Sequence, residues 1–101
     1  MSQKSLLYFI ATKSFKLFSK TVSVKEFEAR DRMESAMGRS DSKNNLISIC
    51  KDLPSDVQEE TLLHETIHLI SENLGLDLKE KQVQGLSIGL YDFLKSNGLI
   101  G

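Results

Sequence analysis

Residues 54–75, PSDVQEETLLHETIHLISENLG, carry the start, body and stop of one long helix. Pro54 punctuates the chain, Ser55 and Gln58 have capping-box spacing, and Asp56, Glu59 and Glu60 suit the positive end of a helix dipole. Gly75 is a natural left-handed stop, so the pattern predicts a helix from about Asp56 to Leu74. On a helical wheel Leu63, Ile67, Ile70 and Leu74 share an arc and are expected to form its core face. His64, Glu65 and His68 fall on the seam between that arc and a polar face that also holds Thr61 and Glu72.

Downstream, Asp77 with Glu80 can cap a last helix ending near Asn97 and Gly98. Its Val83, Leu86, Leu90 and Leu94 recur at helical intervals, a stripe expected to pack on the first helix, with Gly85 and Gly89 permitting close approach. Upstream, LISIC (Leu46 to Cys50) reads as a strand and GRSDSKNN (Gly38 to Asn45) as an exposed loop. Ser23 and Glu26 repeat the capping-box spacing, which predicts a helix from about Val24 to Met37, ended by Gly38. Leu6 to Ile10 reads as a strand buried on both faces. Phe15 to Val24 reads as strand or hairpin, without an Asn-Gly turn to fix it. The expected class is α+β: a short N-terminal sheet with one helix, then two packed C-terminal helices.

The 101 residues are expected to form one domain over 1–101, large enough for a core without metal or disulfide staples. Any metal is then functional rather than structural. A single cysteine, Cys50, excludes an intrachain disulfide and a cysteine-rich zinc cluster and fits a reducing compartment. The longest apolar run, Leu6 to Ala11, is far short of a membrane span, so the expected address is the cytoplasm, with no membrane partner. Net charge is −1, yet residues 1–25 hold five lysines and no acid, leaving eight basic and 14 acidic side chains, net −6, in the remainder. Dispersed lysines of this kind mark a solvated face or protected sheet edges rather than a nucleic acid site.

The chemistry lies in His64-Glu65-Thr66-Ile67-His68, an H-E-x-x-H pattern inside the predicted helix. Residues four apart share a helical face, so two imidazoles can converge on one ion while the adjacent Glu65 projects toward a water. Two histidines placed at random reach this spacing, with a Glu after the first, with a probability of about 0.002. The ordinary alternative is a pair of histidines bordering a core, with Glu65 solvated.

A catalytic zinc site has three protein ligands and an open position. No third histidine exists, so the longer H-E-x-x-H-x-x-G-x-x-H arrangement is excluded: Ser71 and Leu74 stand at its Gly and His positions. Glu72 rises a further ~6 Å along the helix and is too far along to share the ion. Two candidates remain. Glu80 is the nearest carboxylate beyond the turn, and Gln84 is favoured by height if the last helix returns about a turn centred near Leu76. Tyr91 is a candidate oxyanion donor whose ordinary reading is core or rim.

The segment from Glu60 to Asn97, about 38 of the 101 residues, resembles small H-E-x-x-H metallopeptidases of phages and prophages, distantly similar to anti-repressor proteases of mobile elements. The preceding strand LISIC fits the same pattern. The resemblance implies a zincin-like minimal core, zinc held by His64 and His68, Glu65 as general base and acid, and a protein or peptide substrate in a bacterial host cytoplasm. Family members often carry Glu where this chain has Gln84, a departure that makes Glu80 the alternative oxygen donor. The rival expectation is a non-catalytic zincin-like protein that binds a host protein.

Overall fold

A computed structural model describes residues 5–29 and 37–101. Its elements run α1 (Leu7–Ala11), β1 (Ser14–Leu17), β2 (Lys20–Phe27), β3 (Gly38–Asp41), β4 (Leu46–Cys50), α2 (Ser55–Leu74) and α3 (Glu80–Ser96). The class is α+β, with one four-stranded sheet in the order β1-β2-β4-β3 followed by two helices. β1 pairs with β2 and β3 with β4 antiparallel, whereas β2 and β4 run parallel. No described helix is long and apolar enough to cross a membrane.

Alternation builds the core. Val22 and Val24 on β2, and Ile47 and Ile49 on β4, point to one face of the sheet. There they meet Leu62 and Leu69 of α2 and Ile10 of α1. Leu69 is wholly buried, so Leu69→Ala should cost about 2–5 kcal/mol through lost burial and the cavity left behind.

Two strands differ from the sequence expectation. Lys20–Phe27, expected to turn helical from Val24, stays extended throughout because β2 is paired on both sides. Ser23 lies in the β1 and β4 registers there and caps nothing; residues 28, 29 and 37 are not α-helical either, and residues 30–36 of that expected helix lie outside the described residues. GRSD, expected as loop, is β3, an edge strand whose partner β4 supplies the apolar half of the pairing. The expected loop is confined to the turn after it, where Asp41 accepts hydrogen bonds from the backbone and side chain of Asn44. Those bonds hold the Asp41 carboxyl below its usual range.

The β1–β2 hairpin closes through Phe18 and Ser19, both at positive φ, the backbone of a two-residue primed turn without its usual Asn-Gly. Leu6 to Ile10, expected as a strand, forms helix α1 instead. A short apolar run suits either element, and the deciding contact is remote: Glu59 of α2 accepts hydrogen bonds from Ser5 Oγ (2.6 Å) and Leu6 N (2.9 Å).

α2 and Gly75 follow the expectation closely, with Gly75 left-handed at φ 64°. Pro54 rather than Ser55 takes the cap position, and Gln58 Nε2 donates to the carbonyls of Lys51 and Leu53 instead of closing a capping box. The face toward the sheet is Leu62, Glu65 and Leu69, not the expected arc, of which Ile67 is buried, Leu63 and Ile70 half-buried and Leu74 exposed. In α3 the inward stripe is Val83 and Ser87 with half-buried Tyr91 and Leu94, while Leu86 and Leu90 face outward. Asp77 does not cap α3; Lys79 takes that position and its N–H donates to Gln82 Oε1.

A candidate metal centre between two helices

Because α2 is regular through 64–68, His64 and His68 share one face and meet edge to face with ring centroids 5.0 Å apart. Glu80, the first residue of α3, reaches both: its Oε1 lies 2.6 Å from His64 Nε2 and its Oε2 lies 2.9 Å from His68 Nε2. Among the described residues these three side chains form a group whose donor atoms all fall within 4.8 Å of one another.

The link between the helices puts Glu80 there. A turn centred at Leu76 would bring residue 84 opposite 68, but that symmetry treats loop and helix as advancing equally. Extended residues cover up to ~3.5 Å each against 1.5 Å in a helix. Residues 75–79 run back beside the end of α2, with Leu76 N donating to Ser71 O and Leu78 N to Ser71 Oγ. Leu78 is thereby already beside Ser71, and two residues later Glu80 meets the imidazoles. Gln84, the other candidate ligand, lines the same cleft one turn farther along α3, while both oxygen contacts to the imidazoles come from Glu80.

The donor chemistry fits zinc. Two imidazoles and one carboxylate are a borderline-soft set that leaves one tetrahedral position open. The present separations are hydrogen-bond lengths, whereas ligands ~2.05 Å from a tetrahedral ion stand ~3.3 Å apart. The Glu80 side chain is 67% exposed and able to retreat by the half ångström or so that a shared ion needs between it and each imidazole.

Glu65 is the buried member of the motif, 8% exposed. Burial pushes its carboxyl above the ordinary glutamate range, while the neighbouring His64 and His68 and a hydrogen bond from the Ser40 side chain pull it down. Ser40 belongs to β3, and sequence reading assigned it no role because GRSD read as loop. Gly38, at the start of the same strand, lies so close to α2 that an added Cβ would stand 2.7 Å from Thr61 Cγ2 and 3.4 Å from Glu65 Cγ. The resulting cleft has a volume of about 320 Å³, and Gly38, Thr61, His64, Glu65, Glu80 and Gln84 are among the residues lining it.

Tyr91 does not line this cleft; its hydroxyl donates to Glu59 Oε1 at 3.0 Å and ties α3 to α2. Glu72 is exposed on the outside of α2, 3.5 Å from Ser42 Oγ. β4 (Leu46–Cys50) is paired on both sides and leaves no edge for an added strand; among the described strands the sheet edge beside the cleft is β3. No family profile, curated protein or solved structure matches this chain.

Proposed function

We propose that this chain is a zinc-dependent peptidase of the phage and prophage type, with His64, His68 and Glu80 as ligands and Glu65 as general base. The observation that carries the reading is the convergence of one Glu80 carboxylate on both imidazoles while Glu65 is buried in the same cleft. Bound zinc supplies Lewis acidity, which acidifies water and polarises a carbonyl.

The chain's own residues do the rest. Glu65 accepts the proton of the attacking water and delivers it to the departing amine, a transfer worth about 10²–10⁴ in rate. Its partial desolvation brings its basicity nearer to neutral pH. Ser40 fixes the carboxylate from the strand side. Among the described residues β3 pairs on one side only, so its outer edge can take an extended peptide that spans the cleft. The Gln84 amide on the opposite wall can hydrogen-bond that peptide's backbone. A bacterial host cytoplasm is the proposed place of action.

The test is hydrolysis of an unstructured protein substrate, such as casein, by the zinc-loaded chain and by Glu65→Gln. Cleavage by the wild type that falls at least 100-fold in the variant, with zinc content equal, supports the reading. A zinc-loaded wild type that leaves a broad peptide library intact contradicts it and favours a binding role for the same scaffold.

A further inference from the structure

The imidazole pair stands between two hollows. On the His64 side is the cleft already described; on the His68 side a second hollow of about 250 Å³ is lined by His68, Ser71, Glu72 and Asp77 among others. Their charges are of one sign. Glu60, Glu65 and Glu80 line the cleft, Glu72 and Asp77 line the hollow, and no described lysine or arginine lines either. Bound zinc would supply two positive charges, which offset those of Glu65 and Glu80. Asp77 has Lys79 Nζ at 3.4 Å. Glu60 and Glu72 are left over. Neither has an ion-pair partner among the described residues, and the neighbour of Glu72 at 3.5 Å is a neutral hydroxyl, Ser42 Oγ.

The two leftover charges are placed evenly about the metal centre. Glu60, His64, His68 and Glu72 follow at intervals of four along α2, so they form one slowly winding stripe. Each glutamate stands ~9 Å along the helix axis from the midpoint of the two histidines. β3 runs beside this stripe in the same direction: a Cβ on Gly38 would touch Thr61 and Glu65, and Ser42, just past the end of the strand, reaches Glu72. An extended peptide added to the edge of β3 therefore passes Glu60, the metal centre and Glu72 in turn. At ~3.3 Å per residue the ~18 Å between the glutamates spans five to six residues, and side chains on one face of a strand recur at even spacings, which selects six.

We infer that the peptide taken into this cleft is cationic, with a lysine or arginine about three residues to either side of the scissile bond, one held by Glu60 and the other by Glu72. The inference rests on the peptidase reading for the position of the cut, and on the two glutamates and the strand edge for the charge. Glu60 and Glu72 are thus specificity-determining rather than catalytic residues, acting on substrate choice and on the rate of encounter.

Binding of fluorescein-labelled peptides to the full zinc-loaded Glu65→Gln chain, read by anisotropy, tests the charge selection without cleavage. In a serine-alanine host peptide, two lysines six residues apart should bind about 4–25-fold more tightly than two glutamines at the same positions, since each partly exposed pair is worth a factor of about two to five. Lysines two residues apart should recover only one of those factors. Glu60→Gln and Glu72→Gln, each folded by circular dichroism, should lower the preference by one factor apiece and leave the glutamine peptide unaffected. The double reversal Glu60→Lys with Glu72→Lys should prefer two glutamates. A lysine preference below about 2-fold, or one that survives both neutral substitutions, overturns the inference. Cleavage by the wild type separates it from the reading it rests on: equal kcat/KM for the lysine and glutamine peptides overturns the charge selection and leaves the peptidase standing, whereas lysine-selective binding with no cleavage supports the charge selection and contradicts only the peptidase.

Discussion

Glu80 Oε1 lies 2.6 Å from His64 Nε2 although the two residues open and centre different helices. Under the proposed function this contact assigns the carboxylate, rather than the amide four residues later, as the oxygen donor. Glu80→Ala should therefore weaken zinc binding at least 100-fold, as loss of a ligand exceeds the 10–100-fold typical of an outer-shell partner. Gln84→Ala should leave affinity within a few-fold and change only peptide binding. Competition against a fluorescent zinc chelator measures both; equal losses in the two variants would contradict the assignment.

Glu65 must be ionised to accept a proton, and its burial raises the pH at which that happens. The acid limb of the cleavage profile should therefore lie above the ordinary glutamate range. Ser40→Ala removes a hydrogen bond that favours the charged form, so the limb should move further toward high pH. A profile of kcat/KM against pH reads both shifts, and a limb that moves down in Ser40→Ala would refute the role given to this serine.

Tyr91 is pushed up to about 12, first by burial and then by its hydrogen bond to Glu59. A folded-state value above the unfolded one, near 10, means that stability is fully present below about pH 10 and is lost as pH rises toward 12. At neutral pH Tyr91→Phe should cost about 1–2 kcal/mol, since Glu59 keeps its bonds from Ser5 and Leu6. Between pH 9 and pH 11.5 the gap to the wild type should shrink. Urea melts of both proteins at the two pH values provide the comparison, and a gap that widens would be inconsistent with this tie.

Gly38 is needed for clearance. Gly38→Ala drives a methyl against Thr61 Cγ2 and to 3.0 Å from the Ser48 carbonyl, and should cost about 1–3 kcal/mol. Adding Thr61→Ser removes the nearer of the two atoms and should return part of that loss. Thermal melts of the single and double variants decide, with strict additivity counting against the packing argument.

What the sequence disclosed follows the reach of the interactions involved. α2, its Gly75 stop and β4 are specified by neighbours in the chain, and their limits agree with the pattern. So does the pairing of His64 with His68, which needs only helical periodicity. The elements that differ are governed from afar. α1 is anchored at its start by Glu59, more than 50 residues away, and β2 is held extended by strands on both sides. β3 is polar because it is an edge strand whose glycine lies under Thr61. The choice of Glu80 over Gln84 depended on the path of five linking residues, which a symmetric turn misplaces by about one helical turn. Even the inward face of α2 was obscured, because its largest apolar arc points away from the sheet and Glu65, expected on the seam of the helix, is buried on the sheet side.

The central claim is that the two imidazoles and Glu80 bind one divalent ion, and zinc titration calorimetry on the wild type beside His64→Ala tests it most directly. The account predicts one zinc per chain with affinity tighter than micromolar, and loss of at least 100-fold in the variant. A wild type that takes up no zinc at millimolar supply, or binds it equally well without His64, would contradict it.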